Sequence, residues 1–244
     1  MRFLAPDVAQ AAREHAIRDY PNESCGAITA GGYMPLENRS KRPREYFRCD
    51  DQIEPLLQAG ELLALIHSHP DGPVEPSEFD IQQQIVMDVP WGIVACDAEA
   101  ALLPYFWGDQ LEPPALLGRD FRYGPSGTDG RGDCAALVRD WYRLTRQIIL
   151  PEFPRADRCW IGKPDLYRGN LLAAGFTRIG GRSDDPRDGD VVLMQIRHNE
   201  PNHVAICDGR GMILHHLENR LSRREPLVRW LGHVTDWFRY EVPL

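Results

Sequence analysis

Two groups of residues in this chain have types and spacings that can do chemistry. In the first, His67 and His69 are separated by one residue, and Asp80 follows eleven residues after His69. Side chains alternate faces along a strand, so the apolar run Leu62-Leu63-Ala64-Leu65-Ile66 leading into the pair turns both imidazoles to one side and Ser68 to the other. Two imidazoles and a carboxylate leave a fourth tetrahedral position for water, as in a catalytic zinc site; a structural site would be closed. The same donor set favours zinc over other metals. The plainer alternative is a satisfied polar network in which Asp80 only helps to cap a helix.

The second group is Cys134 with the histidines of the carboxyl-terminal part. Cys134 falls in the first turn of a helical pattern whose apolar face is Leu137, Val138, Trp141, Leu144 and Ile148. A helix amino terminus favours a thiolate, so this position lowers the cysteine pKa, although a cysteine beside alanines can also be simply packed. His203 opens the apolar stretch His203-Val204-Ala205-Ile206-Cys207, and His215 closes Met212-Ile213-Leu214-His215 beyond the turn Asp208-Gly209-Arg210-Gly211. Antiparallel pairing across that turn makes the two histidines neighbours. A cysteine at a helix start facing a sheet histidine, itself oriented by another polar group, is the papain-like way to activate a thiol. His215 and adjacent His216 point oppositely, so one of them orients His203; His216 reads as the more exposed. His198 and His233 have no supporting spacing and read as surface or packing residues.

These groups need elements to hold them. Ser77 is a good N-cap, Glu78, Phe79 and Asp80 fill the first turn of a helix, and Ile81, Ile85 and Val86 give it an apolar stripe. Upstream, the pattern predicts a helix over 7–19 with Val8, Ala11, Ala12, His15 and Ala16 on one side, ended by Pro21-Asn22. A short strand over 25–29 follows, with Glu23 at its mouth and Gly31-Gly32 turning it. The stretch 38–48, with Arg39, Lys41, Arg42, Arg44 and Arg48, reads as a solvated loop or exposed edge strand. A short helix over 53–59 and strands over 91–96 and 100–107 complete an α/β or α+β domain with mixed strand pairing.

The stretch 109–118, with Pro113-Pro114, reads as an extended linker, which divides the chain into domains 1–108 and 119–244. In the second domain 151–158 and 164–169 are turn-rich, 170–174 is a short helix and 180–186 a loop. Strands over 191–194, 203–207 and 212–216 form an antiparallel meander.

Composition narrows the function. The chain has 244 residues, 43% hydrophobic and 26% charged, enough for two small cores. A formal charge of −8 argues against a general nucleic-acid binder. No run reaches membrane-spanning length, and Met1-Arg2-Phe3-Leu4-Ala5-Pro6-Asp7 has no signal-peptide core, so the cytoplasm is the expected first location. The six scattered cysteines never form Cys-x-x-Cys and read as small buried hydrophobes.

The motif His67-Ser68-His69-Pro70, then six residues, Ser77, two residues and Asp80 resembles the JAMM motif of the JAB/MPN metallopeptidases. Glu23-Ser24-Cys25-Gly26 is similar to the segment that carries that family's catalytic glutamate. The resemblance implies zinc on His67, His69 and Asp80, Glu23 as general acid/base, Ser77 at the oxyanion, and peptide or isopeptide substrates. Farther on, Asp133-Cys134-Ala135-Ala136-Leu137-Val138, Gly189-Asp190-Val191-Val192, His203-Val204-Ala205-Ile206 and Ile213-Leu214-His215 resemble the NlpC-type papain-like cysteine peptidases. That resemblance implies Cys134 as nucleophile, His203 as base, His215 rather than His216 as the orienting residue, and Tyr123 near the oxyanion. Ala135-Ala136 departs from the usual Ser-Gly and Cys207 from a common aromatic, changes that affect the pocket and leave the catalytic groups.

The two domains together resemble the tail assembly proteins of lambda-like bacteriophages. This implies tail-tip proteins as partners and bacterial peptidoglycan stem peptides as a substrate, with action in the host cytoplasm during assembly and a second location in the virion tail. Two other functions fit the same residues: a structural or chaperone-like tail component with vestigial sites, and an isopeptidase acting through the zinc domain alone.

Overall fold

A computed structural model describes residues 2–180 and 186–241; the loop expected over 180–186 lies largely outside them. The chain forms two compact units, Met1–Glu112 with Gly127–Asp129, and Pro113–Ser126 with Gly130–Leu244.

In the first unit, α1 (Pro6–Asp19) has proline in its first turn, where the missing N–H costs no hydrogen bond. It buries Val8, Ala12, His15 and Ala16. His15 is a packed, satisfied histidine, bonded to the Tyr33 hydroxyl at 2.5 Å and to Asp19 at 2.9 Å. The strands β1 (Cys25–Thr29) and β2 (Gly32–Leu36) form a hairpin in which Gly32 adopts φ 117°, a conformation open to glycine. Then come α2 (Asp50–Gln58), β3 (Ala64–Pro70), α3 (Glu78–Met87), β4 (Trp91–Cys96) and β5 (Tyr105–Trp107).

The sheet order is β2-β1-β3-β4-β5, with β3 and β4 parallel and the other pairs antiparallel, a mixed sheet. Both faces are covered: Ile28, Ile66, Val94 and Phe106 pack with α1, and Ala27, Leu65, Ile93 and Trp107 pack with Ile53 of α2. Alternation along β3 therefore puts His67 on the Leu65 face. Thr128 returns to the free edge of β5, where its N–H and hydroxyl each bond Phe106 backbone at 2.9 Å.

Several elements differ from expectation. The last strand is confined to Tyr105–Trp107; before it the Ala101–Cys96 bridge and the Leu102 N–H bond to the Ala95 carbonyl pair with β4, and the Leu102 and Leu103 side chains are exposed. In α3, Gln84 takes the inward position and bonds the Val89 carbonyl, which leaves Val86 exposed. The basic stretch 38–48 is a loop because Asn38 ties it together, its amide donating to the carbonyls of Glu23 and Tyr46 and accepting from the N–H groups of Ser40 and Arg48. Arg39, Arg42 and Arg48 are spent on nearby carboxylates, consistent with a solvated face.

The second unit is a six-stranded antiparallel sheet with the helices α4 (Cys134–Arg146) and α5 (Leu166–Ala173). Its strands are β6 (Phe176–Gly180), β7 (Val191–Met194), β8 (His203–Cys207), β9 (Met212–His215), β10 (Arg223–Pro226) and β11 (Val234–Tyr240), in the order β10-β9-β8-β7-β11-β6. The expected meander is β7-β8-β9. Leu137, Val138 and Trp141 pack against Val191, Leu193, Val204 and Ile206. Leu144 is exposed, and Gln147 in the left-handed conformation ends α4 before Ile148.

α5 begins inside the stretch expected to be turns. The residues 113–119 are held by Arg119, which bonds the Pro114 and Ala115 carbonyls and Asp140, and by Ser222, which exchanges backbone bonds with Gly118 and Arg119. All six cysteines are free and buried, as expected of small hydrophobes. No helix among the described residues is long and apolar enough to cross a membrane.

Candidate functional site

Strand β3 and the start of α3 bring His67, His69 and Asp80 together, each offering a ligand atom within 4.8 Å of the others. The two Nε2 atoms are 3.0 Å apart, and Asp80 Oδ1 and Oδ2 lie 3.4 and 3.6 Å from His67 and His69. His69 Nδ1 is 2.8 Å from the Pro73 carbonyl and donates to it, which leaves the Nε2 lone pair facing the cluster. Two buried imidazoles facing each other with a carboxylate beside them match the donor set of a metal ion, so the residues fit the group their spacing implies. Tyr105 donates to the Val74 carbonyl at 2.7 Å and so braces the loop that carries Pro73.

Electrostatics fit the same picture. Burial would push the Asp80 carboxyl up, but His67 and His69 outweigh it and hold the group well below the usual range. Burial lowers His67. It also works against charge on His69, where Asp80 and the Pro73 carbonyl prevail and raise its pKa. Phe47 stacks on His67 at 4.7 Å and Trp91 meets it edge-on at 5.8 Å, a dry wall that locks the ring.

Ser77 and Asp80 form a capping box. The Ser77 hydroxyl and N–H both donate to Asp80 Oδ2, at 2.7 and 2.8 Å, while Asp80 N–H donates back at 3.1 Å. Capping and ligation thus share one carboxylate: Oδ2 faces the cap, Oδ1 faces His67. Glu23 is buried. Cys25 pairs with His67, and that register, continued by two residues, sets Glu23 opposite His69; Ser68 N–H bonds the Ser24 carbonyl on the way. Burial raises the Glu23 carboxyl to about 7, with His69 lowering it and Asp80 raising it.

In the second unit Cys134, Tyr123 and His203 line one cleft of about 460 Å³, with Trp160, Tyr167 and Trp230 among its walls. Cys134 is the first residue of α4, whose N-cap Asp133 accepts from Ala136 N–H at 2.8 Å. His203 Nε2 lies 3.2 Å from His215 Nδ1. Ala205 pairs with His215, so the two histidines are diagonal neighbours on one face. Burial, with the nearby carboxylates Glu218 and Asp157, raises the Tyr123 pKa.

Two expectations change here. Cys134 is 5% exposed. Burial and the Asp133 carboxylate push its thiol up to about 12, against the opposing pull of the Val204 N–H, Arg155 and Tyr167. Burial holds His203 neutral, well below the ordinary histidine value. The resting pair is therefore thiol and neutral imidazole, because desolvation outweighs the helix amino terminus. His216 is fully buried rather than exposed; it lines the cleft and meets Phe121 edge-on at 5.1 Å.

Three further contributors to the second site were not read from sequence. Arg155 donates to both Asp133 oxygens, at 2.6 and 3.1 Å, and to Glu152, which Arg139 also holds at 2.7 Å. This buried chain of charges fixes the cap behind Cys134. Glu225 lies 3.6 Å from His215 Nε2 and accepts from Trp230 Nε1 at 2.8 Å, extending the line of polar groups behind His203. Tyr167 lines the same cleft as Cys134 and shares its buried cluster. Arg155 and Tyr167 sit in segments whose sequence reads as turns, and Glu225 in a strand of charged residues.

Comparison with known proteins agrees with this division. Residues 5–103 match the family described as prokaryotic homologues of the JAB domain, and residues 118–234 match the NlpC/P60 family. The chain is 32% identical over 222 residues to the tail tip assembly protein K of Escherichia phage N15, covering 87% of this chain and 85% of that protein. It is 36% identical over 194 residues to the tail tip assembly protein K of Escherichia phage lambda, covering 79% and 88%. An NlpC protein of Trichomonas vaginalis aligns structurally over 52% of this chain and 41% of its own, at 21% identity and a TM-score of 0.38.

Proposed function

The chain belongs to the tail tip assembly protein K family, with a JAB-homologue region followed by an NlpC/P60 region, and from that premise we propose that it assembles or matures a phage tail tip and hydrolyses amide bonds at two sites. Its partners are then tail-tip proteins, met in the host cytoplasm during assembly and in the tail itself. The second site is directed at peptidoglycan stem peptides.

In the first unit the ligands are His67, His69 and Asp80, and the metal is zinc, which when bound supplies Lewis acidity and an acidified water. Glu23, with a pKa of about 7 set by burial, is the group suited to take and return the proton at neutral pH. Ser77 orients Asp80 at rest and offers its hydroxyl to a developing oxyanion.

In the second unit the Cys134 proton passes to His203, the thiolate attacks the carbonyl, and His203 returns the proton to the leaving amine before water resolves the acyl-enzyme. His215, backed by Glu225, keeps the base oriented; Tyr123 lines the cleft where substrate lies. The observation that carries the proposal is the convergence, within one cleft, of Cys134 at a helix start and His203 with its ring bonded to His215. A second reading, a tail component whose thiol site is latent, is favoured by the burial of Cys134 and its raised pKa.

The test is digestion of cell-wall sacculi by the purified protein, with products identified by mass spectrometry for the wild type, Cys134→Ala and His67→Ala. Stem-peptide fragments lost only in Cys134→Ala support the wall-directed cysteine site. Absence of fragments from folded, zinc-loaded wild type contradicts it.

A further inference from the structure

Two tyrosines line the cleft of the second unit, and they face different partners. Tyr123 packs against Phe121 at 5.0 Å and Trp160 at 6.2 Å, and the nearby carboxylates Glu218 and Asp157 help to raise its pKa. Tyr167, in the first turn of α5, is 5% exposed, belongs to the same buried cluster as Cys134, and is held edge-on by Phe153 at 6.1 Å. It lines the same cleft as Cys134, and it draws the pKa of that thiol down.

We propose that Tyr167 is a further catalytic residue of the cysteine site, its O–H donating to the Cys134 sulfur together with the Val204 backbone N–H so that the thiolate forms in a buried place. The proposal rests on Cys134 being the nucleophile. Desolvation is the main obstacle to ionising this thiol, and a hydrogen bond to the charged form is the direct remedy. Tyr167 is suited to be that donor because burial and the neighbouring Cys134, Cys159 and Asp133 all resist its own ionisation, so it keeps its proton.

The step balances without any proton from the phenol. The S–H bond breaks, its proton goes to His203 Nδ1, and the electron pair remains on sulfur, where the Tyr167 O–H and Val204 N–H meet it. That pair then forms the S–C bond while the carbonyl π pair moves to oxygen. Tyr167 thus acts on the sulfur, whereas Tyr123 lines the cleft beside Phe121 and Trp160.

The experiment is the rate of Cys134 alkylation by iodoacetamide in the full-length protein at pH 8, followed by mass spectrometry of the Cys134 peptide. Tyr167→Phe keeps the ring and its packing and loses only the donor; the expected rate is about tenfold below wild type, the worth of one charge-assisted hydrogen bond. Site-specific 3-fluorotyrosine at position 167, a more acidic phenol and stronger donor with little change in shape, is expected to react faster than wild type. This second variant decides the matter if Tyr167→Phe does not fold. Equal or faster alkylation in folded Tyr167→Phe, or no acceleration by the fluorinated residue, overturns the role of Tyr167. A wild-type Cys134 that resists alkylation altogether removes the nucleophile and this proposal with it, a result distinct from equal rates.

Discussion

The two units assemble their sites in opposite ways. In the first, all three candidate ligands lie between His67 and Asp80, on one strand and the first turn of the next helix, and the loop between them supplies the Pro73 carbonyl that orients His69. In the second, the candidate groups come from α4, α5 and three strands, and Cys134, Tyr167, His203, His215 and Glu225 are brought together only once the sheet has formed. A short-range site depends on local geometry and on its bound ion. A long-range site depends on the fold, and its charges must be satisfied by residues far away in sequence.

The largest effect expected from that contrast falls on the second unit. Arg155→Met leaves buried Asp133 without its guanidinium partner and Glu152 with Arg139 alone, and is expected to destabilise this unit by about 3–5 kcal/mol. Chemical denaturation that tracks the two units separately checks it, with little change in the first. A loss of a few tenths of a kcal/mol would show that the long-range network does not support the site.

His67→Ala removes a ligand from a local cluster. It is expected to weaken zinc binding by about a hundredfold or more, since even the partners that only orient ligands are worth 10–100-fold, and isothermal titration with zinc measures it. Glu23→Gln, by contrast, leaves zinc affinity within a few-fold while stopping turnover, because Glu23 is assigned to proton transfer and not to ligation.

Acidification sharpens the comparison. Burial lowers His215 to about 4, so between about pH 6.5 and 4 the unfolded chain binds a proton that the folded chain does not. The sign is a loss of stability as pH falls through that window, of order 1–3 kcal/mol. His215→Asn is expected to flatten this part of the pH dependence in thermal melts. The smallest effect is Glu225→Gln, about a fivefold loss of turnover at the cysteine site with unchanged binding of substrate, since it acts only through His215.

Legibility in sequence follows the same division. The i, i+2 histidines on a strand, the Ser77 cap and Asp80 in the first helical turn obey local rules, so the cluster and its mixed sheet are readable directly. The meander β7-β8-β9 is readable because its strands are apolar runs between tight turns. β10, Arg223–Pro226, is not, because its residues are charged and serve the sheet edge and His215 instead of a core. β11 hides behind Asp236, a buried carboxylate inside the strand that Arg168 and Arg178 neutralise. Tyr167 and Arg155 carry no local signal, since each acquires its role only by meeting the start of α4. The rise of the Cys134 pKa is hidden for the same reason: its burial is a tertiary fact.

The central claim is that one chain holds two independent amide-hydrolysing sites, and orthogonal inhibition tests it most directly. Products from sacculi and from purified tail-tip proteins would be catalogued by mass spectrometry with zinc-loaded protein, after chelation, and after alkylation of Cys134. The account predicts two product sets, one lost only on chelation and the other only on alkylation. A single set abolished by both treatments, or a set that survives both, would contradict it.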